Sequence, residues 1–117
     1  MSQDLKKYLI DHSTPDEFCF ALGCAECGRE LRKSPVRFSK SGVVPPSSEK
    51  RIVFDVLYQR EKESAVERAA AELKTQINMC PVCHRMVCDR CFLICDELDM
   101  CIRCAEQLHE EGEPVLA

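Results

Sequence analysis

The chain has 117 residues, a formal charge of −4, 45 % hydrophobic residues, ten cysteines and no tryptophan. That length makes one domain, or one domain with arms, and the core it can bury is modest once cysteines committed to other work are discounted. No apolar run approaches the ~18 residues of a membrane span, and Asp4, Lys6 and Lys7 interrupt the place of a signal-peptide core, so the expectation is a cytoplasmic protein in a reducing compartment, where a secreted disulfide framework is disfavoured.

The segment 2–11 reads as a short helix with Leu5, Leu9 and Tyr8 on its apolar side, inside an N-terminal arm at 1–17. Ser13-Thr14-Pro15-Asp16 is a turn signal. Phe18, Phe20 and Leu22 alternate as in a strand, with Cys19 on the opposite face. Cys24-Ala25-Glu26-Cys27-Gly28 is a knuckle, and Gly28 suits a position that needs positive φ. A second strand is expected from Leu31 to Lys40, broken near Pro35, so that 18–40 forms a first knuckle and hairpin. Residues 41–48 make an irregular loop. Arg51–Tyr58, rich in β-branched and aromatic residues, predicts a strand, and from about Gln59 to Asn78 the period turns helical, with Val66, Ala69, Ala70, Leu73 and Ile77 on one stripe. The segment 50–79 is therefore expected to be a strand-helix insertion. Residues 80–112 form a dense cysteine segment ending in a helix from Ile102 to about Glu110, stopped by Gly112 and Pro114.

Eight of the ten cysteines fall into four C-x-x-C pairs: Cys24/Cys27, Cys80/Cys83, Cys88/Cys91 and Cys101/Cys104. Two thiolates three positions apart grip one ion from a single turn, and two pairs complete a tetrahedral all-sulfur shell. Four pairs make two closed sites, for which two Zn2+ ions are the expected cofactors. Iron also takes four-cysteine sites and is less favoured. Structural zinc then supplies much of the folding free energy, roughly 10–16 kcal/mol apparent per site in small peptides. The spacing alone leaves three ways to join the pairs: sequential, nested or interleaved.

The four residues from His84 to Val87 between the second and third pairs, and the last pair leading into a helix, resemble FYVE- and RING-type cross-brace modules over residues 80–104. The resemblance implies the interleaved scheme, Cys24, Cys27, Cys88 and Cys91 at one zinc and Cys80, Cys83, Cys101 and Cys104 at the other. The lipid-binding and ubiquitin-ligase functions of those modules do not carry over. Gln76-Ile77-Asn78-Met79 replaces the basic, His-containing FYVE motif, and no His ligand of the RING kind is present. The stretches CFALGCAECG, SPVRFSKSGVVPP and CPVCHRMVCDRCFLICDELDMCIRC also look like a family of short, uncharacterised bacterial zinc-ribbon-like proteins, which implies an intracellular metal protein and brings no activity. The expected fold is α+β, a small treble-clef, cross-brace-like domain spanning 1–117.

Other motifs carry less. Cys80-Pro81-Val82-Cys83-His84 matches the c-type haem signature, which requires export. His84 is better read as solvent-facing or as a donor to sulfur. Cys19 and Cys95 read as small buried hydrophobes, with a redox thiol as the sharper alternative for Cys95. Arg29, Arg32, Lys33, Arg37 and Lys40 form a basic segment that could touch nucleic acid. Two four-thiolate zinc centres, however, would take the formal −4 to about −8, which disfavours that partner. Asp96-Glu97-Leu98-Asp99 reads as a solvated loop. No catalytic set is visible: His12, His84 and His109 are scattered, and closed sulfur sites leave no position for water. The function expected is a non-enzymatic module with a protein partner. A redox-responsive zinc protein and a nucleic-acid adaptor are the alternatives.

Overall fold

A computed structural model describes residues 5–116 as a mixed α+β chain of small antiparallel sheets and helices. It divides into two compact units, both discontinuous in sequence: Met1–Ala21 with Arg32–Glu72, and Leu22–Leu31 with Leu73–Ala117. Among the described residues the short strands are β1 Ile10–Asp11, β2 Glu17–Phe18, β3 Phe20–Gly23, β4 Glu30–Arg32, β5 Val36–Arg37, β6 Ile77–Met79, β7 Met86–Cys88, β8 Phe92–Cys95, β9 Met100–Cys101 and β10 Gly112–Pro114. The helices described are α1, Ser48–Leu73, and α2, Ile102–Leu108.

The strand expected at Arg51–Tyr58 is helix, the first part of the 26-residue α1. Its β-branched residues carry β propensity, but two local signals overrule it. Ser47 caps the helix: its hydroxyl accepts the Lys50 N–H at 3.1 Å, and Glu49 lies in the positively charged first turn. Phe54, Tyr58, Glu61, Ala65 and Ala69 then recur at three- and four-residue steps, so one helical stripe runs through the presumed strand without a break. The 50–79 insertion is accordingly a helix followed by β6. Ile77, expected on the helical stripe, belongs to β6 and pairs with Cys88.

The core of the first unit is Phe18, Phe20, Phe38, Ala65 and Ala69, flanked by Leu9, Leu57, Tyr58 and Val66. Phe18, Phe38 and Tyr58 form an aromatic triangle with centroids 5.0–6.1 Å apart, in tilted and edge-on contacts. Tyr58 satisfies its hydroxyl on the Thr14 carbonyl at 2.9 Å. The alternation expected over residues 18–22 is absent from the burial: Phe18, Cys19, Phe20, Ala21 and Leu22 are all buried. The break expected near Pro35 is present, with β4 before it and β5 after.

The N-terminal helix expected over 2–11 is not seen as such. Residues 2–4 lie outside the described residues, Leu5 and Lys6 are helical, and Ile10–Asp11 is a strand antiparallel to β3, Ile10 opposite Ala21. Lys6 pairs with Glu67 and Lys62 with Asp11 at 2.7 Å.

In the second unit β6 pairs with β7, and β8 lies between β9 and β10. The last helix ends two residues earlier than expected. His109, in the left-handed region at φ 58°, caps α2, and Gly112–Pro114 forms a strand against β8 in place of a helix stop. Gly112 is required there by close approach: a Cβ would lie 2.5 Å from the Ile94 carbonyl oxygen and 2.7 Å from the Cys95 sulfur.

Candidate metal centres

Both centres lie in the second unit and are built on one plan. Each starts from a knuckle. In the first, the Cys24 N–H donates to the Arg29 carbonyl at 2.9 Å and Gly28 N–H to the Cys24 carbonyl at 3.0 Å. In the second, Cys80 N–H donates to Arg85 at 2.9 Å and His84 N–H to Cys80 at 2.8 Å. The turn leaves backbone N–H groups aimed at sulfur, Glu26 and Cys27 N–H lying 3.4 and 3.5 Å from the Cys24 Sγ.

The other half of each centre arrives on a strand. β7 delivers Cys88, whose N–H donates to the Cys24 sulfur at 3.2 Å. β9 delivers Cys101, whose N–H donates to the Cys80 sulfur at 3.4 Å. Cys91 follows on a turn closed by its N–H to the Cys88 carbonyl at 3.0 Å, and Cys104 sits in the first turn of α2.

The result is two groups, Cys24/Cys27/Cys88/Cys91 and Cys80/Cys83/Cys101/Cys104, each with its four sulfurs within 4.8 Å of one another. Of the three pairings open to the sequence, the structure has the interleaved one. Sulfur separations of 3.8 Å (Cys27–Cys88), 3.7 Å (Cys88–Cys91), 3.8 Å (Cys80–Cys104) and 3.8 Å (Cys83–Cys101) match the ~3.8 Å edge of a tetrahedron whose centre lies about 2.3 Å from each sulfur. They are far longer than the about 2.05 Å of a disulfide. The donor set therefore fits an ion such as Zn2+ at each centre.

The thiols are split in acidity. Burial works to raise Cys24, but N–H groups of Cys27, Cys88 and Glu26 outweigh it and lower it to about 6. The Arg85 N–H, then its guanidinium, brings Cys83 to about 6. Burial, followed by sharing protons with Cys88, Cys27 and Cys24, pushes Cys91 up. Burial and the neighbouring Cys101, Cys83 and Cys80 push Cys104 up to about 12. Four thiols so close do not all ionise without a cation among them, which is what a metal would supply.

Arg85 is the functional residue that sequence reasoning missed. Its guanidinium donates to the Ala25 carbonyl at 3.1 Å and to Glu26 at 2.8 Å, both on the first knuckle, and approaches the Cys101 sulfur of the second centre at 3.6 Å. Arg103 adds a contact to Glu26 at 3.5 Å. The available signal was its place immediately after the second knuckle, where it closes the turn through its own carbonyl.

The remaining candidates go elsewhere. Cys19 is buried with its sulfur 3.8 Å from the Lys33 carbonyl, and half-buried Cys95 lies outside both groups. Cys80 and Cys83 of the haem-like motif belong to the second sulfur group. Asp99 accepts the Cys95 N–H at 3.0 Å and so ties off the β8–β9 turn. Within the basic segment Lys33 pairs with Glu72 at 2.6 Å and Lys40 lies over the Phe54 ring at 5.9 Å. No helix among the described residues is long and apolar enough to cross a membrane. No protein-family model, no curated protein and no solved structure matches this chain, so the bacterial zinc-ribbon-like family expected from its sequence is not identified, and the two four-cysteine clusters rest on their own geometry.

Proposed function

We propose that this is a structural zinc protein, a treble-clef, cross-brace-like module holding two Zn2+ ions, which serves as a non-enzymatic platform for a protein partner inside the cell. The observation that carries the reading is the interleaving of two closed four-sulfur shells in one small unit. Four protein sulfurs complete a tetrahedron, so no coordination position remains for an activated water. The order of knuckle, β8–β9 hairpin ending in Cys101, and α2 carrying Cys104 supports the treble-clef description of the second centre. Exposed Met79, Val82, Ile94 and Leu108 on the same unit give a protein partner apolar surface to bury.

Elemental analysis of protein purified under reducing conditions tests it. Two zinc ions per chain and loss of the folded state on chelation are expected. One metal per chain, or a fold that survives complete stripping, overturns the reading.

A redox-responsive zinc protein is the second reading, because each cluster has one exposed cysteine, Cys27 or Cys83, beside three buried ones. It requires zinc release at near-stoichiometric peroxide, and retention of both ions under that treatment removes it.

A further inference from the structure

The N-terminal half of α1 turns an apolar face away from its own core. Leu57, Tyr58, Ala65 and Ala69 pack in the core of the first unit. Outside that core, on the same helix, Ile52, Val53 and Val56 are 66 %, 53 % and 53 % exposed. Exposed β-branched residues at i, i+1 and i+4 contribute nothing to an isolated helix, since their χ1 freedom is already restricted there. They become favourable when another surface covers them.

The charges on that face identify the surface. At 100° per residue, Glu49 and Arg60 lie on the same stripe as Val53 and Val56, one at each end of the apolar stretch. Both are exposed, and among the described residues neither makes an ion pair. The midpoint of Val53 and Val56 and the midpoint of Glu49 and Arg60 coincide, between Phe54 and Asp55. A two-fold axis through that point sets Val53 of one chain against Val56 of another. The same axis brings Glu49 of each level with Arg60 of the other, twice over. A parallel pair of helices would instead oppose Glu49 to Glu49 and Arg60 to Arg60.

We infer that the occupant of this face is a second copy of the chain, bound as an antiparallel α1–α1 pair with Ile52, Val53 and Val56 as its seam and reciprocal Glu49–Arg60 ion pairs at its ends. The interface is isologous, as a two-fold dimer requires, and its self-complementarity comes from one short stretch of sequence. Three apolar residues a side make a small interface, so the dimer is a weak, concentration-dependent one.

The test is sedimentation equilibrium of the full metal-loaded chain over roughly 5–500 μM at low salt, a span suited to Kd values of that order, with far-UV circular dichroism and zinc content as fold controls. Reversible dimerisation is expected, weakened at least about tenfold by Val53→Glu, which buries a charge in the seam. Glu49→Arg or Arg60→Glu alone should each weaken dimerisation severalfold, since each opposes like charges, while the double exchange Glu49→Arg/Arg60→Glu restores it. A monomer throughout the range overturns the inference. So does a dimer indifferent to Val53→Glu in a chain that keeps its helix and metal. Failure of the double exchange to recover what the single changes lose overturns the antiparallel register.

Discussion

Gly28 and His84 hold the same place in the two knuckles. Each follows the second cysteine of its pair, each has positive φ, 77° and 63°, and each donates its N–H to the carbonyl of the pair's first cysteine. One turn has been filled with glycine and the other with a histidine. The geometry therefore costs the second knuckle backbone strain that the first avoids.

That difference predicts opposite responses to exchange. His84→Gly should stabilise the second centre by up to about 1 kcal/mol, and Gly28→Ala should destabilise the first by about 1–2 kcal/mol. A Cβ at Gly28 meets no atom within 4 Å, so the penalty there is purely conformational. Thermal unfolding combined with competition against a chromophoric zinc chelator reads both, and an unchanged Gly28→Ala protein would show that the turn can relax.

The interleaving makes a coupling prediction. Cys88→Ser and Cys24→Ser should abolish the same metal, and the double variant should lose little beyond either single one. Cys88→Ser with Cys80→Ser should instead lose both ions. The measurement is zinc per chain in all four proteins. Retention of one ion by the Cys80/Cys88 double variant would mean that those two cysteines share a centre.

Ser47 is expected to matter more than its neighbour Ser48. The Ser47 hydroxyl accepts the Lys50 N–H, whereas Ser48 is the first residue of α1. Ser47→Ala should cost about 1 kcal/mol and Ser48→Ala a few tenths at most. Unfolding followed by the 222 nm ellipticity distinguishes them, and equal effects would remove the cap from the account of why α1 begins there.

The Asp11–Lys62 pair predicts a pH dependence with two limbs. Burial works to raise Asp11, but hydrogen bonds from Lys62 and Ser13 win and hold it below its ordinary 3.8. Lys62 is raised above 10.5, chiefly by its hydrogen bond to Asp11. The lowered acid stabilises the fold above its unfolded value and loses that contribution as pH falls. The raised base stabilises it below its unfolded value and loses the contribution as pH climbs. Asp11→Asn should cost about 0.2–1 kcal/mol near neutrality, the range for exposed pairs. Its deficit relative to the parent should close below pH 3.8 and again above 10.5. A deficit constant from acid to alkali would show that the carboxylate acts only as a packing group.

The cysteine pairs were legible because a C-x-x-C turn is local. Three residues of spacing define a knuckle, and Gly28 after the first pair announces its positive φ without reference to the rest of the chain. The cap at Ser47 and the stripe from Phe54 to Ala69 are local too, yet 41–48 read as an irregular loop and Arg51–Tyr58 as a strand. The β-branched content of Arg51–Tyr58 spoke for a strand only while that window was read apart from the helix continuing it. Other features had no local signal. Cys24 and Cys88 are 64 positions apart, and the spacing near either one leaves three pairings open; only the resemblance of 80–104 to cross-brace modules implied the interleaved one. The contact of Arg85 with Glu26 spans 59 positions, and the pairing of Ile10 with Ala21 makes a two-residue strand at the end of an amphipathic-looking arm. Turns and caps satisfy backbone groups within a few residues, so residue types dictate them directly. Which sulfurs share an ion, and which strand takes a short polar arm, depend on surfaces that exist only after the chain has closed on itself, where tertiary contacts outweigh the fractions of a kcal/mol that separate local propensities.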